Sequence, residues 1–258
     1  MRLAIVGLGL VGGSLARALT RRGHRVVGID TPAVRRRARR AGAVAETCAR
    51  LEDALDAVEL VVLAAPPDVN VSLLRRVARV APGHVVTDVS SVKLPICREA
   101  ERLGLAGFVG GHPLAGTENA GFGASRADLF AGRPWALVGG RPASLRRVRR
   151  LVRHVGAKPL AVGPAEHDRA VAFLSHLPQL VAWALLDAAR RDPVASRLRG
   201  LAGPGFRDMT RLAASPAGLW RQILRANATE VDRALEAFLR ALGEGGPSAR
   251  RRATWIAD

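Results

Sequence analysis

Three glycines near the start of the chain stand at a spacing that suits the binding of nucleotide phosphates. Residues 7–12 read GLGLVG, the pattern G-x-G-x-x-G, and they follow an apolar run that predicts a strand. The first glycine permits a tight turn, the second lets the backbone approach a pyrophosphate, and the third allows a helix to pack closely on the strand. The start of that helix would offer its N–H groups to the phosphates. The residues predicted to contact a dinucleotide here are Gly7, Leu8, Gly9, Leu10, Val11 and Gly12.

An acidic residue ends the second predicted strand, about 20 residues beyond the glycines, where such a motif requires one. The Asp30 carboxylate would accept hydrogen bonds from ribose hydroxyls and repel a 2′-phosphate, which favours NAD over NADP as the cofactor. Residues 35–37 are all arginine and leave some tolerance of a phosphate open. Ala65 and Pro66, which follow the third predicted strand, are assigned to the same cofactor site.

A histidine flanked by glycines offers a base for the oxidation of an alcohol. Residues 110–118 read GGHPLAGTE and follow another predicted strand, and ligands of such sheets collect beyond the carboxyl ends of the strands. Imidazole has a suitable pKa for taking the hydroxyl proton as hydride leaves, so His112 is the predicted catalytic base; a core or capping histidine is the alternative. Ser91, in the segment DVSSVK, is predicted to assist it, with helix capping as the alternative role for Ser90 or Ser91.

The elements that must position these residues alternate between strands and helices. Strands are predicted at 3–8, 25–29, 60–64, 84–88 and around 107–110, and helices at 12–22, 33–41, 68–80 and 94–103. Such alternation predicts an α/β fold with a parallel, doubly wound sheet. We therefore expect an N-terminal Rossmann domain that binds NAD.

The strand signals stop after residue 164. Residues 165–190 and 208–241 are predicted as long helices separated by a Gly-Pro-Gly break at 203–205. The predicted division is a Rossmann domain at 1–164 and an all-helical domain at 165–258. Asp208 and Arg211 stand three apart on one predicted helical face, where they can pair. His176 and Gln179 share another face, and Pro178 between them must disturb the helix.

Composition limits the classes of partner. The net charge is +18, but Lys93 and Lys158 are the only lysines, and the arginines are spread along the chain without interleaved aromatic residues. Solvated helix faces explain this charge better than nucleic-acid binding does. No apolar stretch is expected to reach the roughly 18 residues of a membrane span, and no signal-peptide cleavage site follows the start. Cys48 and Cys97 lack metal or disulfide spacing and are expected to be reduced thiols. Together these features lead us to expect a cytoplasmic protein with a small-molecule substrate.

Five segments, in order, resemble motifs of the prephenate and arogenate dehydrogenases of tyrosine biosynthesis, and the likeness covers nearly the whole chain. They are GLGLVGGSLA, DVSSVK, GGHPLAGTE, HDRAVAFLSHLPQ and GFRDMTRLAASPAGLW. The resemblance implies a homodimer joined through the helical domain. It also implies NAD-dependent oxidative decarboxylation of prephenate to 4-hydroxyphenylpyruvate.

Residue roles are implied by the same resemblance. His112, assisted by Ser91, would accept the hydrogen bond of the ring C4 hydroxyl, and Arg211, held by Asp208, would bind the ring carboxylate. The residues implied to lie around the substrate side chain are Glu118, Ser175, His176 and Gln179. Trp220 would reach the site of the neighbouring subunit, with a place in the core as the alternative.

Several alternatives remain open from the residues. Many prephenate-using relatives carry His where Gln179 stands, so arogenate dehydrogenase is an alternative, as is action on aminodeoxyprephenate. Few residues follow Arg240 in the sequence, so the regulatory ACT domain of some members is not expected. A hydroxyacid dehydrogenase or imine reductase is the nearest rival, although the helical domain lacks the lysine expected of the former. A non-catalytic NAD sensor and a basic nucleic-acid-binding protein are the alternatives from other classes.

Overall fold

A computed structural model describes residues 1–117 and 119–243 of the chain. These form two compact units. The first comprises Met1–Asp168 together with Ala214–Ala226, and the second comprises Arg169–Ala213 and residues 227–243. The sequence predicts a single boundary at 164/165. In the structure the chain returns to the first unit at Ala214–Ala226, so the division has more than one boundary.

The first unit is built on one sheet of eight strands in the order β3-β2-β1-β4-β5-β6-β7-β8. The strands are β1 (Arg2–Val6), β2 (Arg25–Ile29), β3 (Glu46–Cys48), β4 (Leu60–Leu63), β5 (Val85–Asp88), β6 (Phe108–Pro113), β7 (Pro134–Val138) and β8 (Lys158–Ala161). Strands β1 to β6 are parallel, and β7 runs antiparallel to β6. The Rossmann architecture is therefore confirmed, but the sheet is mixed rather than wholly parallel.

Three strands escaped the sequence prediction: β3, β7 and β8. Strand β3 has only three residues, and β8 is an exposed edge strand that contains a proline, so neither carries the buried apolar run of a central strand. Strand β7 is buried and apolar between glycines, and it was detectable. The strand predicted around 107–110 is therefore not the last strand of the sheet, since β7 and β8 follow it.

Helices cover both faces of this sheet. The helices of the first unit are α1 (Leu10–Arg21), α2 (Pro32–Arg40), α3 (Glu52–Leu55), α4 (Pro67–Val80), α5 (Leu94–Arg102), α6 (Pro142–His154) and, from the second half of the chain, α11 (Ala217–Ala226). Side chains alternate between two apolar cores, as in Leu3 and Ile5 on one face and Ala4 and Val6 on the other. Because both faces are buried, these strands read as continuous apolar runs in the sequence.

The chain enters the second unit within α7 (Pro164–Val171). That unit holds α8 (Leu177–Arg191), α9 (Pro193–Arg197), α10 (Pro204–Thr210) and α12 (Ala228–Gly243), with a π-helical turn at Ala172–His176 and a 3₁₀ turn at Arg199–Leu201. The single helix predicted at 208–241 is wrong. A 3₁₀ turn at Arg211–Ala214 and then Pro216 end it early, since proline lacks the N–H and disfavours helix in the residue before it.

One helical stretch of the described chain passes a length-and-composition test for a membrane span. It is Pro164–Arg191, with 28 residues, and it corrects the expectation that no apolar stretch is long enough. About 33% of its most apolar window is buried, and core helices of soluble proteins pass the same test. The π-helical turn also interrupts its regular hydrogen bonding. It is therefore weak evidence for a membrane protein.

Candidate active site

Residues 7–12, here called the glycine loop, lead from β1 into α1, as their sequence pattern predicts. Gly7 adopts a φ of 94°, in the region that favours glycine, and a Cβ on it would lie 2.6 Å from the Ala64 carbonyl oxygen. A Cβ on Gly12 would lie only 1.9 Å from the carbonyl oxygen of Gly7. A Cβ on Gly9 would meet no atom within 4 Å. Two glycines therefore serve close packing, and the third borders open space.

The open space beside Gly9 suits a pyrophosphate. Helix α1 begins at Leu10, its N-cap is Gly9, no side chain caps its first amides, and its first turn holds no acid. The amides at a helix N-terminus attract anions when no side chain satisfies them. The helix begins two residues earlier than predicted, so Leu10 and Val11 lie in its first turn. These features fit a dinucleotide phosphate on the loop.

Asp30 follows β2 and is tied to the same loop. Its Oδ2 accepts a hydrogen bond from the backbone N–H of Leu8 at 2.6 Å, and its Oδ1 accepts from Thr31 N–H at 2.6 Å. A carboxylate has capacity for further hydrogen bonds after these two. Asp30 thus holds the loop in place and remains able to accept from a ribose.

The turn after β4 is stabilised by Asn70, which was not predicted as a site residue. Ala65 N–H donates to Asn70 Oδ1 at 3.1 Å, and Asn70 Nδ2 donates to Ser90 Oγ at 2.9 Å. Asn70 is fully buried, and Pro66 is the exposed N-cap residue of α4. Asn70 therefore joins the ends of two neighbouring strands at the edge where the glycine loop lies.

A buried ion pair lies where β5 and β6 end. Lys93 Nζ donates to Asp88 Oδ2 at 2.5 Å and to the carbonyl oxygen of Gly111 at 2.7 Å. Asp88 Oδ1 in turn accepts from Gly111 N–H at 2.9 Å. Both charged side chains are completely buried. The pair therefore fixes the backbone of the residue that precedes His112.

His112 lies inside β6 rather than in a loop after it. It pairs in register with Ala136 of β7 and is 8% exposed. Its Nδ1 is 2.9 Å from Nε2 of His167, and Nδ1 of His167 is 2.7 Å from Oδ1 of Asp168. His167 and Asp168 were missed as site residues, although both open the segment HDRAVAFLSHLPQ. The structure thus adds two side chains to the predicted base.

Asp168 also caps α5, the helix that follows the segment DVSSVK. Its Oδ1 accepts from Lys93 N–H at 2.7 Å and its Oδ2 from Leu94 N–H at 2.7 Å. The suggestion that Ser90 or Ser91 caps α5 is therefore wrong. Ser91 is half-buried, and no hydrogen bond of its hydroxyl is found within residues 1–117 and 119–243. Its predicted role beside His112 remains a prediction.

The second unit holds the substrate-side candidates on the first turns of α8 and just before it. Gln179 is fully buried, and its Nε2 donates to the carbonyl oxygen of Leu212 at 2.9 Å. His176 is 1% exposed, and its Nδ1 is 3.2 Å from Nδ2 of Asn227. Ser175 is half-buried within the π-helical turn, so the predicted disturbance around Pro178 is confirmed.

Arg211 and Asp208 line a pocket of about 300 Å³ in this unit, with Phe173, Leu177 and Phe238 among its apolar walls. Both charged side chains are exposed, and α10 ends at Thr210. No ion pair joins the two side chains among the described residues, so their pairing stays a prediction. The change from α-helix to 3₁₀ turn at Arg211 alters the face on which it lies.

Trp220 lies on α11, which belongs to the first unit, and it is half-buried there. Glu118 lies outside the described residues. The candidates therefore divide between the units. The glycine loop, Asp30, Ser91 and His112 belong to the first, whereas Ser175, His176, Gln179, Asp208 and Arg211 belong to the second.

Comparison with known proteins places both halves of the chain. Residues 15–161 match the family model of the prephenate dehydrogenase nucleotide-binding domain, and residues 163–244 match that of its dimerization domain. The probable prephenate dehydrogenase NovF of Streptomyces niveus is 36% identical over 250 residues, which cover 94% of this chain and 67% of that protein.

Solved structures similar to this chain include prephenate and arogenate dehydrogenases. Prephenate dehydrogenase from Aquifex aeolicus, in complex with hydroxyphenyl propionate and NAD⁺, is 31% identical with a TM-score of 0.88, covering 95% of this chain and 88% of that one. Arogenate dehydrogenase of Synechocystis is 31% identical with a TM-score of 0.82, covering 95% and 90%. From the two domain matches and these relatives, the chain belongs to the prephenate dehydrogenase family.

Proposed function

We propose that this protein is an NAD-dependent dehydrogenase that oxidatively decarboxylates prephenate to 4-hydroxyphenylpyruvate in tyrosine biosynthesis. The observation that carries the proposal is the position of His112. It stands near the carboxyl end of β6, in the same parallel set of strands as β1, whose carboxyl end leads into the glycine loop. A base and a dinucleotide cradle at one edge of a sheet are the two parts that oxidation of an alcohol needs.

The chain's own residues would divide the work. NAD⁺, when bound on the glycine loop and Asp30, supplies the hydride acceptor for the ring C4 carbon. His112 accepts the proton of the C4 hydroxyl, and Ser91 assists through a hydrogen bond to the same oxygen. As the ketone develops, the bond to the ring carboxylate breaks and CO₂ leaves. The electron pair of that bond passes through the ring to the C4 oxygen, which takes a proton back from His112 to give the phenol, and aromatisation makes the reaction irreversible.

Arg211 would hold the ring carboxylate, because a guanidinium binds a carboxylate through two parallel N–H donors. It must not stabilise the carboxylate so well that loss of CO₂ is slowed, since only binding that favours the transition state raises kcat. Glu118, Ser175, His176 and Gln179 would surround the side chain of the substrate. We propose that Asp208 helps to orient Arg211 once the substrate is bound.

The proposal extends to the assembly of the protein and to its location in the cell. The match of residues 163–244 to a dimerization domain supports a homodimer. Trp220 would reach the partner's site. The division at 164/165 is supported by the boundary between the two family models. We place the enzyme in the cytoplasm, where its substrate would be a small acid rather than a nucleic acid or membrane.

Oxidation of arogenate is a second candidate, and one feature of Gln179 favours it. Its Oε1 is buried and has no hydrogen-bond partner within the described residues, while its Nε2 is already engaged. A buried amide oxygen accepts hydrogen bonds, so it would suit the ammonium group of arogenate better than the keto group of prephenate.

The test is NADH formation by the purified protein with NAD⁺ and either prephenate or arogenate. We expect turnover with prephenate, and a Gln179→His variant should shift the kcat/KM ratio of the two substrates towards prephenate. Turnover with arogenate alone would replace the first proposal with the second. Absence of turnover with both, across several pH values and with NADP⁺ also tried, would overturn the tyrosine-pathway assignment.

A further inference from the structure

The hydrogen-bonded series His112–His167–Asp168 is buried along its whole length. His112 is 8% exposed, His167 is 3% exposed and Asp168 is 2% exposed. The two links measure 2.9 Å and 2.7 Å. Since burial of polar side chains is costly unless they are hydrogen-bonded, such an arrangement is maintained at some expense in solvation.

We infer that His167, oriented by Asp168, is the positioning residue that fixes the tautomer of His112 and supports its positive charge. This inference rests on the proposed function, because it takes His112 to be the base. His167 itself need not touch the substrate.

The donor and acceptor roles follow from Asp168. Both of its oxygens accept backbone N–H groups, from Lys93 and Leu94, so the carboxylate acts as an acceptor towards the His167 ring as well. His167 then carries its proton on Nδ1, and in the neutral ring its Nε2 is an acceptor. His112 must donate from Nδ1 to that nitrogen. The neutral His112 ring therefore has Nε2 as its basic nitrogen.

Proton uptake by His112 adds a positive charge in a buried place. The Nδ1–H donor then points through His167 towards the negative charge of Asp168, and hydrogen bonds with a charged partner are the stronger ones. Among the described residues, Lys93 and Asp88 are further charged groups at the ends of β5 and β6, and they pair with each other. Asp168 is thus the carboxylate joined to the base through described hydrogen bonds.

A second histidine pair in the same unit provides a comparison. His24 Nε2 is 2.9 Å from His154 Nδ1, the same separation as in the His112–His167 pair. Among the described residues no carboxylate is hydrogen-bonded to either ring, and His24 Nδ1 is buried without a partner. Burial lowers the pKa of His24. A pair of adjacent histidines is therefore not always linked to a carboxylate. The hydrogen bond to Asp168 distinguishes the His112–His167 pair from the His24–His154 pair.

The test uses His167→Phe and His167→Gln, with His154→Gln as the matched control. Phe keeps an aromatic ring but cannot accept from His112, and we expect kcat to fall by about 10²-fold with little change in the KM for NAD⁺. The acidic limb of the kcat/KM profile should move to lower pH, because protonated His112 loses its link to Asp168. Gln offers an amide oxygen near the former Nε2 and should recover much of the kcat. His154→Gln should leave all three readouts unchanged.

A folded His167→Phe enzyme with kcat within about threefold of the parent and an unmoved acidic limb would overturn the inference. If His167→Phe does not fold, the kcat/KM profile of His167→Gln is the test. An acidic limb at the same pH as in the parent would then overturn the inference.

Nitrogen NMR of protein labelled in histidine separates this inference from the proposed function. The His112 signals, identified by their loss in His112→Asn, should show a protonated Nδ1 and an unprotonated Nε2. The opposite tautomer would overturn the inference even in an active enzyme. The expected tautomer in a protein without dehydrogenase activity would instead refute the proposed function and leave the positioning role of His167 intact.

Discussion

Nζ of Lys93 and Oδ2 of Asp88 lie 2.5 Å apart with both side chains fully buried. The pair is satisfied by further hydrogen bonds, since Lys93 also donates to the Gly111 carbonyl and Asp88 accepts from the amides of Ser90 and Gly111. A buried pair of this kind stabilises little by itself, but removal of one partner leaves a buried, unpaired charge.

Lys93→Met should therefore lower the free energy of unfolding by about 3–5 kcal/mol. Lys158→Met is the matched control, because the same substitution falls on an exposed residue and should change stability by less than about 0.5 kcal/mol. Urea denaturation of both variants measures the difference. Equal stabilities would show that the buried pair contributes nothing that methionine cannot replace.

Gly9 and Gly12 belong to one motif but should respond differently to alanine. Gly12→Ala places a Cβ 1.9 Å from the Gly7 carbonyl oxygen, so the backbone must shift and we expect a marked fall in the melting temperature. Gly9→Ala meets nothing within 4 Å and should fold normally, yet bind NAD⁺ weakly because the methyl group enters the phosphate space. Thermal denaturation and a fluorescence titration with NAD⁺ separate the two effects. A Gly9→Ala protein that binds NAD⁺ as tightly as the parent would contradict this assignment.

Replacement of His112 should act on turnover rather than on cofactor binding. We expect His112→Asn to reduce kcat by about 10²–10⁴-fold, because asparagine cannot take up the proton, while NAD⁺ affinity stays close to that of the parent. Steady-state kinetics and an NAD⁺ titration measure the two quantities. The outcome that would remove His112 from the mechanism is unchanged turnover.

The two cysteines should be slow to react in the folded protein. Burial raises the pKa of Cys97 to about 12 and also raises the pKa of Cys48. A raised pKa means less thiolate, so at pH 8 only about 10⁻⁴ of Cys97 is in the reactive form. We expect iodoacetamide, followed by peptide mass spectrometry, to label Cys97 far more slowly in buffer than in urea. Equal rates in the two conditions would show that the thiol is not shielded.

The parts of the fold and site that were predictable from the sequence are those encoded locally. The glycine loop, Asp30 and His112 each lie within a short motif next to a buried strand, so strand position and chemistry could be predicted together. His167 lies 55 residues from His112, and only the folded chain shows that their rings meet. Lys93 and Asp88 both lie in the segment DVSSVK, but the burial of both charges does not follow from their spacing.

The cofactor preference rests on Asp30, and the surface beside it makes the preference reversible. A pocket of about 480 Å³ next to α2 is lined by Arg35, Arg36, Arg39 and Arg40, which are suited to a phosphate. Asp30→Asn removes the negative charge yet retains an amide oxygen for the Leu8 amide, now 2.6 Å from the carboxylate. We expect the KM for NADP⁺ to fall by about tenfold or more, equivalent to about 1.4 kcal/mol, with a smaller rise in the KM for NAD⁺. Addition of Arg36→Gln should cancel much of that gain. Once the repulsion from Asp30 is removed, tighter binding of the 2′-phosphate depends on attraction by the Arg36 guanidinium. If Asp30→Asn leaves the NADP⁺ kinetics unchanged, features other than this carboxylate exclude the 2′-phosphate.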